Sequence, residues 1–226
     1  MKQDVVKKET SKCMKILSPG PHVFLYVFRI SRHSTEEEQT LVELEDVFGE
    51  DFCKYCIILF VADNPLKIEN IEEFVETLPH FYRALVDKCS GRVFTGCAEE
   101  EYSENMFRQI IRFQKKIAQE NPSYFSIEKF SKSKSIRDRV LIKPVKVMSI
   151  MSIFKDEIRI VLVGQTGKGK SSTGNTILNQ EIFKAKLSVL SVTGKSSFGT
   201  RICEKKKLTV VDTPGILDTN RKEKEK

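Results

Sequence analysis

The sequence predicts an α/β fold, a mostly parallel sheet with helices on both faces. Three observations carry this. The runs HVFLYVFRI (22–30), CIILFV (56–61) and EIRIVLV (157–163) have the continuous apolar and β-branched character of strands buried on both sides. Stretches with helical spacing of apolar residues separate the strands. The last run leads straight into a glycine-rich loop, GQTGKGKSST (164–173), with a helical pattern behind it.

The elements follow in order. A Pro-Gly-Pro break at 19–21 precedes the first strand, His22–Ile30. STEEEQTLVELEDVF then opens at Ser34, which fits a capping box with Glu37, and acidic residues fill the first turn. Leu41, Leu44, Val47 and Phe48 give this helix one apolar face, and Gly49 ends it. Cys56–Val61 is the second strand. Ile71, Phe74, Val75, Leu78, Leu85 and Val86 mark a helix kinked at Pro79. Arg92–Thr95 is a short third strand. Asn105–Gln119 is a helix stopped by Asn121-Pro122. Residues 126–156 break the rhythm. SIEKFSKSKSIRDR is polar and basic and reads as a linker, and VLIKPVKVMSIMSIF is a more apolar segment. Glu157–Val163 is the next strand, and Ser172–Asn179 begins a helix. Leu187–Thr200 reads as an exposed loop rich in Ser, Thr and Gly. Arg201–Cys203 and Leu208–Val211 form a hairpin turning at Lys205–Lys207. The mixed-charge tail RKEKEK reads as disordered.

Composition narrows the function class. Hydrophobic residues at 40% and charged residues at 31% suit a globular chain with a sizeable core. The net charge of +7 is uneven: −5 over 1–125, +5 over 126–156 and +7 over 157–226. The excess lies partly in the linker and carries no aromatic-rich basic stripe, so it does not point to nucleic acid. The polar start at Met1 shows no secretory signal. The longest apolar-leaning stretch, Val145–Phe154, is interrupted by Lys146, Ser149 and Ser152 and falls short of the ~20 residues of a membrane span. A cytoplasmic protein is expected, and its six cysteines read as reduced thiols. Cys53-x-x-Cys56 has no second Cys/His pair at zinc spacing and reads as packed free cysteines.

Gly164-x4-Gly169-Lys170-Ser171 matches the phosphate-binding P-loop between a strand and a helix. Glycines let backbone N–H groups turn inwards around a phosphate, and the helix N-terminus adds partial positive charge. Gly164, Gln165, Thr166, Gly167, Lys168, Gly169, Lys170, Ser171 and Ser172 form the candidate cradle. Lys170 supplies an ammonium for the β- and γ-phosphates, and Ser171 a hydroxyl for Mg²⁺. Downstream, LTVVDTPG (208–215) delivers Asp212 from an apolar strand. An aspartate there holds Mg²⁺ through water in P-loop NTPases, and Gly215 offers an N–H to the γ-phosphate. An Asp-x-x-Gly at this distance from a P-loop points to the GTPase branch. Thr193, in the Ser/Thr-rich loop between the two motifs, is a candidate second Mg²⁺ ligand alongside Ser191, Ser196, Ser197 and Thr200.

GQTGKGKSSTGNTIL, SVT and VVDTPGILDT over 157–220 resemble the immunity-associated protein (IMAP) GTPases. LSPGPHVFLYVF, STEEEQTLVELEDVFGEDFCKYCIILF and KCSGR, over roughly 5–125, resemble the same family's later part, which follows Asp-x-x-Gly. The resemblance implies a P-loop GTPase-like fold with its segments in circularly permuted order. Residues 1–125 match the C-terminal part of a G domain, 126–156 a basic linker, and 157–226 the N-terminal part. Either the chain is a slice of a tandem array or incomplete gene model, or its halves assemble as a permuted G domain. The two readings are compatible. On assembly, the Glu157–Val163 strand lies between the Asp212 strand and His22–Ile30.

The resemblance further implies GTP/GDP and Mg²⁺ as ligands, slow or partner-assisted hydrolysis, and homo- or hetero-oligomers formed across the nucleotide face. Membrane association is open, without a transmembrane segment. Three departures weigh against full activity. Guanine is read in the family by an aspartate after the CIILFV strand, where this chain has Val61-Ala-Asp-Asn-Pro-Leu66. Asn64 takes the aspartate's place and Asp63 stands one residue early. An amide offers one acceptor where a carboxylate accepts two N–H bonds. The later loop Val93-Phe-Thr-Gly-Cys97 lacks the family's asparagine pair, and Ile216 and Leu217 stand where a Ras-like enzyme carries a water-orienting glutamine. No catalytic residue is assigned, and a nucleotide-independent interaction module is the alternative.

Overall fold

The computed structural model describes residues 13–14, 16–30, 35–62, 68–97, 103–126, 157–184 and 197–213. Its strands are β1 (Val23–Arg29), β2 (Cys56–Ala62), β3 (Val93–Cys97), β4 (Glu157–Val163), β5 (Ser197–Cys203) and β6 (Lys206–Asp212). Its helices are α1 (Thr35–Phe48), α2 (Ile71–Glu76), α3 (His80–Lys88), α4 (Ser103–Glu120) and α5 (Lys170–Leu178), with a 3₁₀ turn at Glu50–Tyr55. The sheet order is β3-β2-β1-β4-β6-β5, parallel except for the antiparallel β5–β6 hairpin. The P-loop strand β4 therefore lies between β1 and β6. Val23 pairs with Ile160, Phe24 with Val161, Leu25 with Leu162 and Tyr26 with Val163.

The register assigns the helices to faces. Phe24 and Phe28 of β1 meet Phe48 of α1 and Tyr82 of α3 on one side. Leu59 and Leu162, level with Val27 and Leu25, point to the other. There a Cβ on Gly96 would crowd Met106 of α4 and Leu59, and one on Gly174 of α5 would crowd Leu162. The sheet is thus covered on both sides, which is why β1, β2 and β4 are buried along almost their whole length.

Polar groups also bridge the early and late segments. The His22 ring nitrogen Nδ1 accepts from the Arg159 backbone N–H at 2.9 Å, and Arg159 Nε donates to the Gly20 carbonyl at 2.6 Å. Burial, then the Arg159 guanidinium, lowers the His22 imidazole to about 3, so the ring is neutral and free to accept. Arg201 of β5 donates to Ser103 Oγ at 2.5 Å and to the Ile177 carbonyl at 3.1 Å, tying the hairpin to α4 and α5.

Several boundaries differ from the sequence reading. Pro79 separates two helices rather than kinking one, because it caps α3 with an extended backbone. Ser197–Thr200, expected in a loop, pairs with Thr209–Asp212 as half of β5. The hairpin turns at Glu204–Lys205, both at positive φ, and Lys206 and Lys207 belong to β6. Lys207 pairs with Glu157 at 3.0 Å instead of standing in the turn. None of the six cysteines forms a disulfide and five are buried, as packed cysteines should be. Among the described residues no helix is long and apolar enough to cross a membrane, and no Cys/His/Asp/Glu cluster could hold a metal ion by itself.

Candidate functional site: a phosphate loop at the carboxyl end of the sheet

Parallel strands all deliver their carboxyl ends to one edge of the sheet, where the candidate site lies. β4 ends at Val163, and the chain turns through Gly164–Gly169 into α5. Gly164, Gly167 and Gly169 have φ of 135°, 77° and 96°, a region that side chains enter at a cost. Gly164 also has a spatial requirement, since a Cβ there would lie 2.7 Å from the Val27 carbonyl oxygen. A Cβ on Gly169 would stand 3.3 Å from Val61 near the end of β2. The loop therefore rests on β1 and β2, which come from the other half of the chain.

Lys170 is buried, and its Nζ donates to the carbonyls of Gly164 at 3.0 Å and Gln165 at 2.9 Å. The ammonium is thereby held on the loop that a phosphate would fill. Ser171 Oγ donates to Asp212 Oδ2 at 2.6 Å, joining the start of α5 to the end of β6. Asp212 Oδ1 is buried without a hydrogen-bond partner among the described residues, as are Gln165 Oε1 and Thr166 Oγ1. Burial raises the Asp212 carboxyl above its ordinary value, opposed by the Ser171 hydrogen bond and the Lys170 charge. Thr213 Oγ1 donates to the Leu162 carbonyl at 2.7 Å, pinning the start of the Asp-Thr-Pro-Gly turn to β4.

These groups fit a nucleotide and its cation. The orphaned Asp212 oxygen and the Ser171 hydroxyl form the hard oxygen pair that Mg²⁺ takes, and a phosphate would satisfy Lys170 and the loop. The structure thus brings together Gly164–Ser172 and Asp212. Thr193, Gly215, Asp63 and Asn64 lie outside the described residues, although β2 ends beside the loop one residue before Asp63.

Sequence reasoning missed two residues that touch the loop, Glu36 and Glu37, and a third, Tyr82, that holds Glu37. Glu37 Oε1 pairs with Lys168 Nζ at 2.7 Å, Tyr82 donates its phenol to Glu37, and Gln165 Nε2 donates to Glu36 at 3.2 Å. One signal was present. Glu37 stands four residues before Leu41 and seven before Leu44, on the apolar stripe of α1, where an unpaired charge would be costly.

A family profile described as the AIG1 family matches residues 1–142 and 158–226. This chain belongs to the AIG1 family. Its P-loop GTPase-like fold is the one the sheet order and the loop display. The AIG1 match falls in two blocks with a break at 143–157, which ends on the first residue of β4. The mouse GTPase IMAP family member 8 is 28% identical over 209 residues, which cover 92% of this chain and 27% of the relative. Its human counterpart is 27% identical over 213 residues, covering 93% and 28%. The Arabidopsis thaliana immune-associated nucleotide-binding protein 7 is 42% identical over 65 residues, covering 28% of this chain and 21% of its own length. This chain spans little more than a quarter of the length of the IMAP relatives.

Proposed function

We propose that this AIG1-family chain binds guanine nucleotide with Mg²⁺ and acts as a switch whose hydrolysis is slow or depends on a partner. One observation carries the reading: Lys170 on its loop and the 2.6 Å Ser171–Asp212 pair converge at the carboxyl end of the sheet. Lys170 and the loop N–H groups would hold the β- and γ-phosphates. Ser171 and Asp212, joined by Thr193, would hold the cation, and Gly215 would reach the terminal phosphate. The cation would neutralise phosphate charge. The relatives' names, a GTPase and a nucleotide-binding protein, support the same reading.

We further infer that residues 1–125 are the later part of one G domain, 157–226 the earlier part of the next, and that they complement each other. The two-block family match and the near-continuous 209-residue similarity to a much longer relative support a slice of a tandem array. The β1–β4 ladder supports complementation. Association with like chains across the nucleotide face, and with membranes, belongs to the proposal through the family resemblance alone.

A second reading has a specific basis. Asn64 in place of a carboxylate weakens guanine selection, which favours an interaction module that binds nucleotide weakly or not at all. A fluorescent GTP titration separates the two, with Lys170→Ala as control and ATP as competitor. Saturable, Mg²⁺-dependent binding lost in K170A supports the switch. No binding by the parent, or equal binding by K170A, sinks it. Equal competition by ATP would show that the phosphates are held and the base is not read.

A further inference from the structure

We propose that Glu37 is a positioning residue for the phosphate loop, a latch on α1 that holds Lys168 and so sets the loop's shape. This rests on the nucleotide-binding reading above and assigns that site a control element in the other half of the chain. Glu37 is 1% exposed, yet it carries a carboxylate. Its Oε1 meets Lys168 Nζ at 2.7 Å, and its Oε2 receives the Tyr82 phenol of α3. Burial, followed by the bond to Glu37, raises the Tyr82 hydroxyl above its ordinary range, so the phenol remains a donor. Gln165, also in the loop, donates to neighbouring Glu36.

The consequences follow from position. Lys168 lies between Gly167 and Gly169, both at positive φ, so the loop on either side of it is intrinsically permissive. A flexible loop must be fixed by its surroundings before its N–H groups can converge on one anion. The Lys168 side chain, only 16% exposed, is the charged anchor of the loop on α1, beside the Gln165–Glu36 hydrogen bond. Removing one member of such a pair leaves the other buried and uncompensated, whereas removing both does not. Glu37 reaches the cradle through Lys168. Because α1 follows β1, whatever shifts α1 would be felt directly by the cradle.

The test compares Glu37→Gln, Lys168→Met, the double variant and Lys170→Ala in the full chain. Fluorescent GTP affinity, amide hydrogen exchange and thermal unfolding are measured together. E37Q and K168M should each weaken binding about ten- to a hundredfold, the range seen when partners that orient direct ligands are lost. Both should speed exchange selectively over 165–169, and the double variant should be about as weak as either single variant, since each change removes the same latch. The proposal fails if folded E37Q matches the parent in affinity and loop exchange. It also fails if E37Q only lowers the unfolding temperature, with exchange rising evenly along the sheet. A double variant as weak as the product of the singles would sink it as well. Should the parent bind no nucleotide, the nucleotide reading falls, while selective loosening of 165–169 in E37Q would still establish the latch and unchanged exchange would remove it.

Discussion

Asp212 keeps a charge where the isolated protein gains little from it. One oxygen is satisfied by Ser171 and the other has no partner among the described residues. Burial lifts its pKa, so the folded state favours the protonated acid more than the unfolded state does. The sign follows from linkage. The resulting stability is present below the unfolded value and lost as pH rises through the higher folded value, leaving a net cost at neutral pH. Asp212→Asn should therefore leave unfolding stability unchanged or raise it by about 1–2 kcal/mol, the penalty of an unsatisfied buried group. The same change should weaken Mg²⁺-dependent nucleotide binding by at least about tenfold, as loss of a cation-orienting group does. Denaturant unfolding and a Mg²⁺-dependent GTP titration check both halves, and a less stable variant with unaltered binding would refute the assignment. Cation binding must also release the proton, so affinity should fall on acidification earlier than for an ordinary aspartate. Asp212 was legible in the sequence because LTVVDTPG is a local word. Glu37 was not, because its meaning depends on Lys168, 131 positions away.

Elements were legible where burial on both faces dictates composition. β4 was read at its observed bounds, and β1 and β2 within a residue or so, since a covered central strand takes mainly apolar side chains, the hydrogen-bonded Arg159 being an exception. β5 was half missed because it is an edge strand. Phe198, Thr200 and Ile202 face solvent, and the pairing is imposed by β6 rather than by its own residues. The α5 helix combines both lessons through Gly174. An alanine in a helix interior ordinarily gains about 1 kcal/mol over glycine. Here the added Cβ would lie 2.6 and 2.7 Å from Phe183 ring atoms and 2.9 Å from Leu162. Packing should win, and Gly174→Ala should destabilise by about 1–3 kcal/mol, the usual cost of overpacking. Adding Phe183→Leu should recover much of that loss, because it removes the ring edge that the methyl meets. Thermal unfolding of the two variants decides this, and a stabilised single variant would show that α5 stands further from the strand than described.

At the scale of the molecule, the sheet depends on a seam between segments far apart in sequence. β1 keeps β2 as a neighbour and β4 keeps β6, but the β1–β4 ladder exists only when 13–126 and 157–213 meet. Parted, each would expose the edge of a largely apolar central strand, an invitation to aggregate. The seam is also bound off the sheet, by Arg159 on Gly20, Arg201 on Ser103 and Lys168 on Glu37. This part was readable as strand order once the motifs were recognised, whereas the polar ties were not, since each depends on side chains converging only after folding. If the seam rather than the connecting chain holds the halves, the covalent link is dispensable. Residues 1–126 and 157–226 expressed together as separate chains should co-purify in equal amounts and bind nucleotide about as the parent does. Expressed singly, each should be largely insoluble. Changing Leu25, buried opposite Leu162 in the ladder, to Asp should abolish co-purification, because a lone carboxylate would then sit in the apolar layer beneath α4 and α5. Two soluble fragments, each with native-like circular dichroism and no affinity for the other, would instead show two independent units, and the complemented site would have to be abandoned.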